Sequence, residues 1–341
     1  MIKIERKNLP AFFKAVADKM PLYLPIKTAG EVNFGYYTDG AEVDIDTLKT
    51  VKSPKGAFFP QSEDMMRFRI DGKNLTIEDI RSEKPDFVIF GVRACDYKAF
   101  SVLDNVFLGQ PVDTYYKERR DAAIIFTLAC GKPQESCFCP VFGIDATQPE
   151  GDVTCWLDEN ALYMQPNTEK GDKVLAVTRD LQQDGGDEQV EKIKADAKKV
   201  LEKLSYAKLD MSRFKPENLN ELFASPLWQP MSEACLGCGA CTFVCPTCQC
   251  FDIRDFKTDK GVLRFRCWDS CMYSDFTQMA AANPRTTQMQ RFRQRFMHKL
   301  VYYPAQYGGT YSCVGCGRCV NKCPQHLNIV KVIKQLGASK Q

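Results

Sequence analysis

Histidine is almost missing from this chain. Only His298 and His326 occur in 341 residues, so histidine acid–base catalysis is thinly supplied. No apolar run approaches the roughly 18 residues that a membrane span needs; the longest, residues 122–130 (AAIIFTLAC), is nine residues long. The start, MIKIERKNLPAFFK, has no hydrophobic signal core. The expected location is therefore the cytoplasm, where thiols stay reduced. No G-x-G-x-x-G follows a strand-like segment and no Walker A sequence occurs, which removes the recognisable fingerprints for NAD, FAD and nucleoside triphosphates. Acid is missing from one end: residues 276–341 hold ten Lys or Arg and no Asp or Glu, which leaves −7 on the rest of a chain whose formal charge is +3. Such a run is a solvated face, a counter-charge for buried anionic groups, or a docking surface for an acidic partner. Nucleic acid is disfavoured as a partner, because no nucleic-acid-binding motif accompanies the basic residues.

Cysteine, by contrast, is abundant and uneven. Of seventeen, four lie between Cys95 and Cys139, Cys155 stands alone, and twelve fall between Cys235 and Cys323. An odd number in a reducing compartment argues for metal rather than a disulfide framework. Cys235-LG-Cys238-GA-Cys241-TFV-Cys245-Pro246 reads C-x2-C-x2-C-x3-C-P, and Cys313-VG-Cys316-GR-Cys319-VNK-Cys323-Pro324 repeats it. This run holds [4Fe–4S] clusters in two-cluster ferredoxins, with the fourth cysteine of each run ligating the other cluster. One cluster is thus expected on Cys235, Cys238, Cys241 and Cys323, and a second on Cys313, Cys316, Cys319 and Cys245. The glycines let the backbone wrap closely and aim amides at sulfur. Zinc would call for two separated pairs of ligands instead.

Sixty-seven residues separate the motifs. Helical patterns at 274–282 and 286–301 make a mostly helical domain the expectation here. The insert also holds Cys248, Cys250, Cys267 and Cys271. These four either ligate a further iron centre or pack as small hydrophobes.

Upstream, Phe87–Val92 (FVIFGV) and residues 122–130 read as continuous apolar strands, with helical spacing between them at 96–108. Strand, helix, strand of this kind predicts a right-handed βαβ crossover in a parallel sheet. Residues 8–19 read as a helix capped by Asn8, 156–164 and 173–178 as further strands, and 187–206 as an amphipathic helix. The segment 20–80 reads as loops and short strands. Cys95 follows the first apolar strand and Cys130 ends the second, so both belong on the carboxyl edge of the sheet, where open α/β sheets bind ligands. Cys137 and Cys139 arrive shortly after, through a loop long enough to fold back. These four predict a third [4Fe–4S] cluster; Cys155 is left for packing. The expected fold class is α+β: an N-terminal α/β domain with a short parallel sheet (1–230), then a mostly helical two-cluster ferredoxin-like domain (231–341).

GVRACD, Cys130 with SCFC, CPTCQC, WDSCM, QRFRQRFMHK and CVGCGRCVNKCP occur here in one order. Together they resemble the iron–sulfur protein family that includes the electron-transfer component of anaerobic sulfite reductase and the β subunit of cytosolic sulfhydrogenases. The resemblance covers residues 87–329. It implies a non-catalytic electron-transfer subunit of a heteromeric oxidoreductase complex in anaerobic metabolism. Such a subunit passes electrons between a flavin-containing NAD(P)H-oxidising subunit, or ferredoxin, and a catalytic redox subunit. It also groups Cys95 with Cys130, Cys137 and Cys139, and includes Cys248, Cys250 and Cys271 but not Cys267. The alternative is a cluster-containing redox enzyme with its own flavin or substrate site in the N-terminal domain; a third class, a cluster-based sensor, would need a DNA-binding helix-turn-helix, and none is visible.

Overall fold

A computed structural model describes residues 1–81, 85–259 and 261–338. An eight-stranded mixed sheet forms the N-terminal half, in the spatial order 183–184, 2–5, 161–166, 153–157, 123–128, 87–92, 22–28, 31–36. Its four central strands, Leu22–Thr28, Phe87–Val92, Ala123–Leu128 and Val153–Leu157, run parallel. The flanking strands are antiparallel. The crossover expected from the apolar runs is present: Phe87–Val92 leads into the helix Ala94–Phe107, and a second helix, Thr114–Ala122, delivers the chain to Ala123–Leu128.

Every residue of Phe87–Val92 and of Ala123–Leu128 is buried, because helices and loops cover both faces of the sheet. Period-two alternation divides the side chains. Val88, Phe90, Ile124 and Phe126 meet Phe12, Phe13 and Val16 of the helix Leu9–Ala17 on one face. Phe87, Ile89, Ala123 and Ile125 meet Phe58, Phe100, Leu103 and Tyr116 on the other. Each such apolar side chain contributes about 1.5–3 kcal/mol on burial, so this double-sided core fixes the carboxyl edge on which Cys95 and Cys130 sit.

One strand and one helix cap change here. Residues 173–178 lie not in a strand but in and after the helix Glu169–Ala176, where the Thr168 hydroxyl accepts the Gly171 N–H at 3.2 Å and caps the helix. The apolar run Val174–Leu175 is one buried face of that helix. Asn8 precedes the Leu9–Ala17 helix but makes no side-chain cap; Pro10 in its first turn supplies the fixed φ instead.

In the second half, the insert holds a long hairpin, Phe251–Thr258 with Gly261–Trp268. Its second strand pairs with Ser62–Asp71, which pairs in turn with Asn74–Asp79. The resulting four-stranded antiparallel sheet takes two strands from each side of residue 230. Helix later in the insert runs through Gln288–Met297, a wider turn at His298–Tyr302 and Tyr303–Gln306, while 274–282 contains only a short turn at 275–277. That helix opens with a capping box between Thr287 and Gln290, and Phe292 and Phe296 pack on Trp228. Among the described residues, no helix is long and apolar enough to cross a membrane.

Candidate metal centres

The two repeated loops fold alike. Gly237, Gly239, Gly315 and Gly317 have φ of +66°, +72°, +60° and +76°, a region costly for any side chain with a Cβ. Each loop thereby turns tightly enough to bring its first three cysteines to one side. Cys235, Cys238 and Cys241 line a small cavity that Cys323 and Pro324 of the second loop complete. Around its sulfurs, the Leu327 amide donates to Cys323 Sγ at 3.3 Å and the Gln288 side-chain amide to Cys235 Sγ at 3.5 Å. Cys245, from the first loop, lies within electrostatic reach of Cys313, Cys316 and Cys319. Cys323 thus lies with the thiols of the first loop, and Cys245 within reach of those of the second.

The N-terminal four also meet. Cys95, in the first turn of Ala94–Phe107, Cys130, just past Ala123–Leu128, and Cys137 and Cys139 line one cavity together with Arg93, Arg318 and Cys316. The loop carrying Cys137 and Cys139 is pinned to the second repeat: the Phe138 N–H donates to the Gly315 carbonyl at 2.9 Å. Burial pushes the Cys95, Cys130 and Cys139 thiols up. Buried thiols ionise only when a metal or cation takes up the charge.

Cations are built into the walls, and three of them, Arg295, Lys299 and Arg318, come from the basic segment 276–341. Arg318, between Cys316 and Cys319, is buried and grips Asp96 at 2.6 and 2.8 Å. Its Nε donates to the Thr50 carbonyl at 3.0 Å. Arg93 donates to the carbonyls of Ala129 and Ile45. Arg295 and Lys299, four residues apart and so on one helix face, point among the repeat cysteines. Both are buried, and Arg295 Nε has no hydrogen-bond partner. Lys299 donates to Thr247 Oγ1 at 2.8 Å and to the Ser312 carbonyl at 3.1 Å, tying the end of one repeat to the start of the other. Burial lowers the Lys299 pKa, but the Cys245, Cys248 and Cys313 sulfurs hold it above the ordinary lysine value. Lys55, also buried, donates to the Cys248 carbonyl at 2.7 Å and lies 4.0 Å from the Trp268 ring centroid; burial pulls its pKa down to about 8. Lys55, Arg295 and Lys299 have no carboxylate partner among the described residues. Buried charges without counter-ions are costly, and metal-bound thiolates of net negative charge are the partner this setting asks for. Among the described residues, no three Cys, His, Asp or Glu side chains surround a single-ion point; a cube spreads its four thiolates to separate corners and asks for that wider spacing.

The insert cysteines divide. The hairpin register pairs Phe251 with Trp268, so Cys250 and Cys271 meet at its root, and Cys248 lies beside them. Cys267 pairs with Asp252 in the strand above. Alternation turns it to the face opposite Arg266 and Trp268, so it stays apart from the other three. Cys155 is fully buried in the apolar core beside Leu128 and Met164.

Over 341 aligned residues, the chain is 31% identical to sulfhydrogenase 2 subunit beta of Pyrococcus furiosus, with 98% of each protein covered. Residues 234–327 match the family described as a 4Fe-4S dicluster domain. The chain belongs to the sulfhydrogenase β-subunit family. As a member, it is an iron–sulfur subunit, and the matched segment begins one residue before Cys235 and extends past Cys323. The sulfhydrogenase β-subunit resemblance read from the motifs is thereby borne out, and with it [4Fe–4S] clusters as the cofactor class.

Proposed function

We propose that this sulfhydrogenase β-subunit relative relays electrons within an oxidoreductase complex and catalyses no substrate reaction of its own. A single observation carries the reading: three thiol groups adjoin, each one the next. The N-terminal cavity is lined by Cys316 as well as its own four cysteines. Cys316 belongs with Cys313, Cys319 and Cys245, and Cys319 lies within reach of Cys241 in the first repeat. The outer end is at the surface: of the seventeen cysteines, Cys238 alone is exposed.

In this reading Cys235, Cys238, Cys241 and Cys323 hold one [4Fe–4S] cluster, Cys313, Cys316, Cys319 and Cys245 a second, and Cys95, Cys130, Cys137 and Cys139 a third. When bound, the clusters supply one-electron transfer. The protein's part is to hold their ligands in fixed loops, exclude water from the inner groups, and offset added negative charge with Arg295, Lys299 and Arg318. The partners are a flavoprotein NAD(P)H-oxidising subunit, or ferredoxin, and a catalytic redox subunit in the cytoplasm. Leu236 (64% exposed) and Tyr273, beside Cys238, flank the outer end, while Arg291 adjoins through Gln288 and holds the Arg285 carbonyl. An apolar surface edged with cations fits an acidic redox protein.

The second reading, an enzyme with its own small-molecule site, rests on a cavity of about 580 Å³ at the carboxyl edge of the parallel strands. Its lining includes Arg93, Ala129 and Gly131, which surround Cys130 in sequence or space, but no aromatic ring that would stack on a flavin. Iron and acid-labile sulfide on anaerobically purified protein, with EPR after dithionite reduction, test the relay. At least about twelve irons per chain, and about four fewer in Cys137→Ser, are expected. Fewer than about eight, or flavin at one per chain, favours the second reading.

A further inference from the structure

We infer that Cys248, Cys250 and Cys271, without Cys267, hold a separate iron–sulfur centre through three protein thiolates. This rests on the relay reading above and adds a site to it. Three placements carry it. First, the hairpin register brings the two ends of its root together: the Asp269 N–H donates to the Cys250 carbonyl at 2.9 Å, so Cys250 and Cys271 face each other. Cys248 reaches the same place from the loop after Pro246. Second, the half-buried place they share is cationic. Lys55 comes from the N-terminal half, crosses to donate to the Cys248 carbonyl at 2.7 Å, and has no carboxylate partner among the described residues. Its hydrophobic surround, including Trp268 at 4.0 Å, makes an isolated ammonium there costly. An anionic group on the three sulfurs removes that cost, and three neutral thiols do not.

Third, the position is continuous with the other centres. Cys248 contacts Cys245, which sits among the second-repeat sulfurs, and Arg295 and Lys299 lie within reach of Cys248 as they do of Cys245. A centre here branches from the series of thiol groups instead of extending it. With three protein ligands, one corner of a cube is left for a small external ligand, such as hydroxide or a thiol. The C-x3-C spacing of Cys267 and Cys271 suggests a pair in the sequence, but Cys267 lies within the strand Gly261–Trp268, whose alternation sends it to the other face.

The test is metal content of the whole protein, purified anaerobically, in Cys250→Ser, Cys271→Ser and Cys267→Ser variants. About four irons are lost in the first two and none in Cys267→Ser, with one set of signals missing from the Mössbauer spectrum. Unchanged iron in Cys250→Ser and Cys271→Ser overturns the inference, as does one zinc per chain that those variants release. Should the serine variants fail to fold, the wild-type protein decides: about sixteen irons support the fourth centre and about twelve or fewer overturn it. Failure of the relay reading shows differently, as fewer than about eight irons in the wild type.

Discussion

The two cysteine repeats share spacing, proline and backbone conformation, yet their surroundings are opposite. In the first, Leu236 and Cys238 are exposed, and the two glycines are approached only by side chains: a Cβ on Gly239 would lie 2.5 Å from the Tyr273 hydroxyl, and one on Gly237 2.9 Å from Gln288 Oε1. In the second, Val314, Cys316 and Arg318 are buried, and the glycines are approached by backbone, Gly315 by Phe138 and Cys139 and Gly317 by Ser136. The repeat thus dictates a local turn that sets up thiols, and the rest of the chain decides which turn faces out and which becomes a junction. A symmetric pair of sequences has become an asymmetric device with one outer end.

Three changes would break or sharpen that contrast. The largest effect is expected from Arg318→Gln, which leaves the Asp96 carboxylate buried without its partner and costs about 3–5 kcal/mol. The midpoint of urea unfolding by circular dichroism should fall accordingly, and iron should be lost from the N-terminal group and the second repeat before the first. Next is the paired comparison of Gly315→Ala with Gly239→Ala. Both lose about 1–2 kcal/mol to the left-handed backbone, but only Gly315→Ala also collides with immovable backbone, for about 3 kcal/mol or more in total. Equal losses of unfolding free energy would show that the two loops are held alike after all. The smallest effect on stability is Leu236→Ala, within about 0.5 kcal/mol. Its expected consequence is slower reduction by an acidic ferredoxin in stopped-flow traces, with the dependence on ionic strength unchanged because no charge is removed; an unchanged rate would remove the outer end from that role.

Legibility in the sequence follows the range of the interactions. The repeat and the crossover are written in local spacing and continuous apolar runs, and both are readable residue by residue. The parallel alignment of Phe87–Val92 and Ala123–Leu128 then brings Cys95 and Cys130 to one edge without further information. The four-stranded sheet is not readable, because SEDMMRFRID is charged and half-exposed and its partner strand lies far along the chain. The same distance hides Lys55, whose role depends on Cys248. Arg295 and Lys299 resemble any solvated basic pair until the helix Gln288–Met297 is docked. Cys267 looks like a companion of Cys271 because sequence proximity counts residues, whereas a strand sorts them by parity.

The four-stranded sheet also has a history in time. On the ribosome, Ser62–Asp71 and Asn74–Asp79 emerge about 190 residues before Gly261–Trp268 arrives to pair with them. At about 5–20 residues per second, that hairpin waits roughly 10–40 s with one edge open. During that wait Ile70, Leu75 and Ile77, which stay at least 59% exposed even in the finished fold, would adjoin an unpaired strand edge. The nascent chain is therefore most prone to mispairing with neighbouring copies before its last third is made, and slow synthesis or crowded polysomes should lower the yield of this subunit more than heat lowers the stability of the completed one.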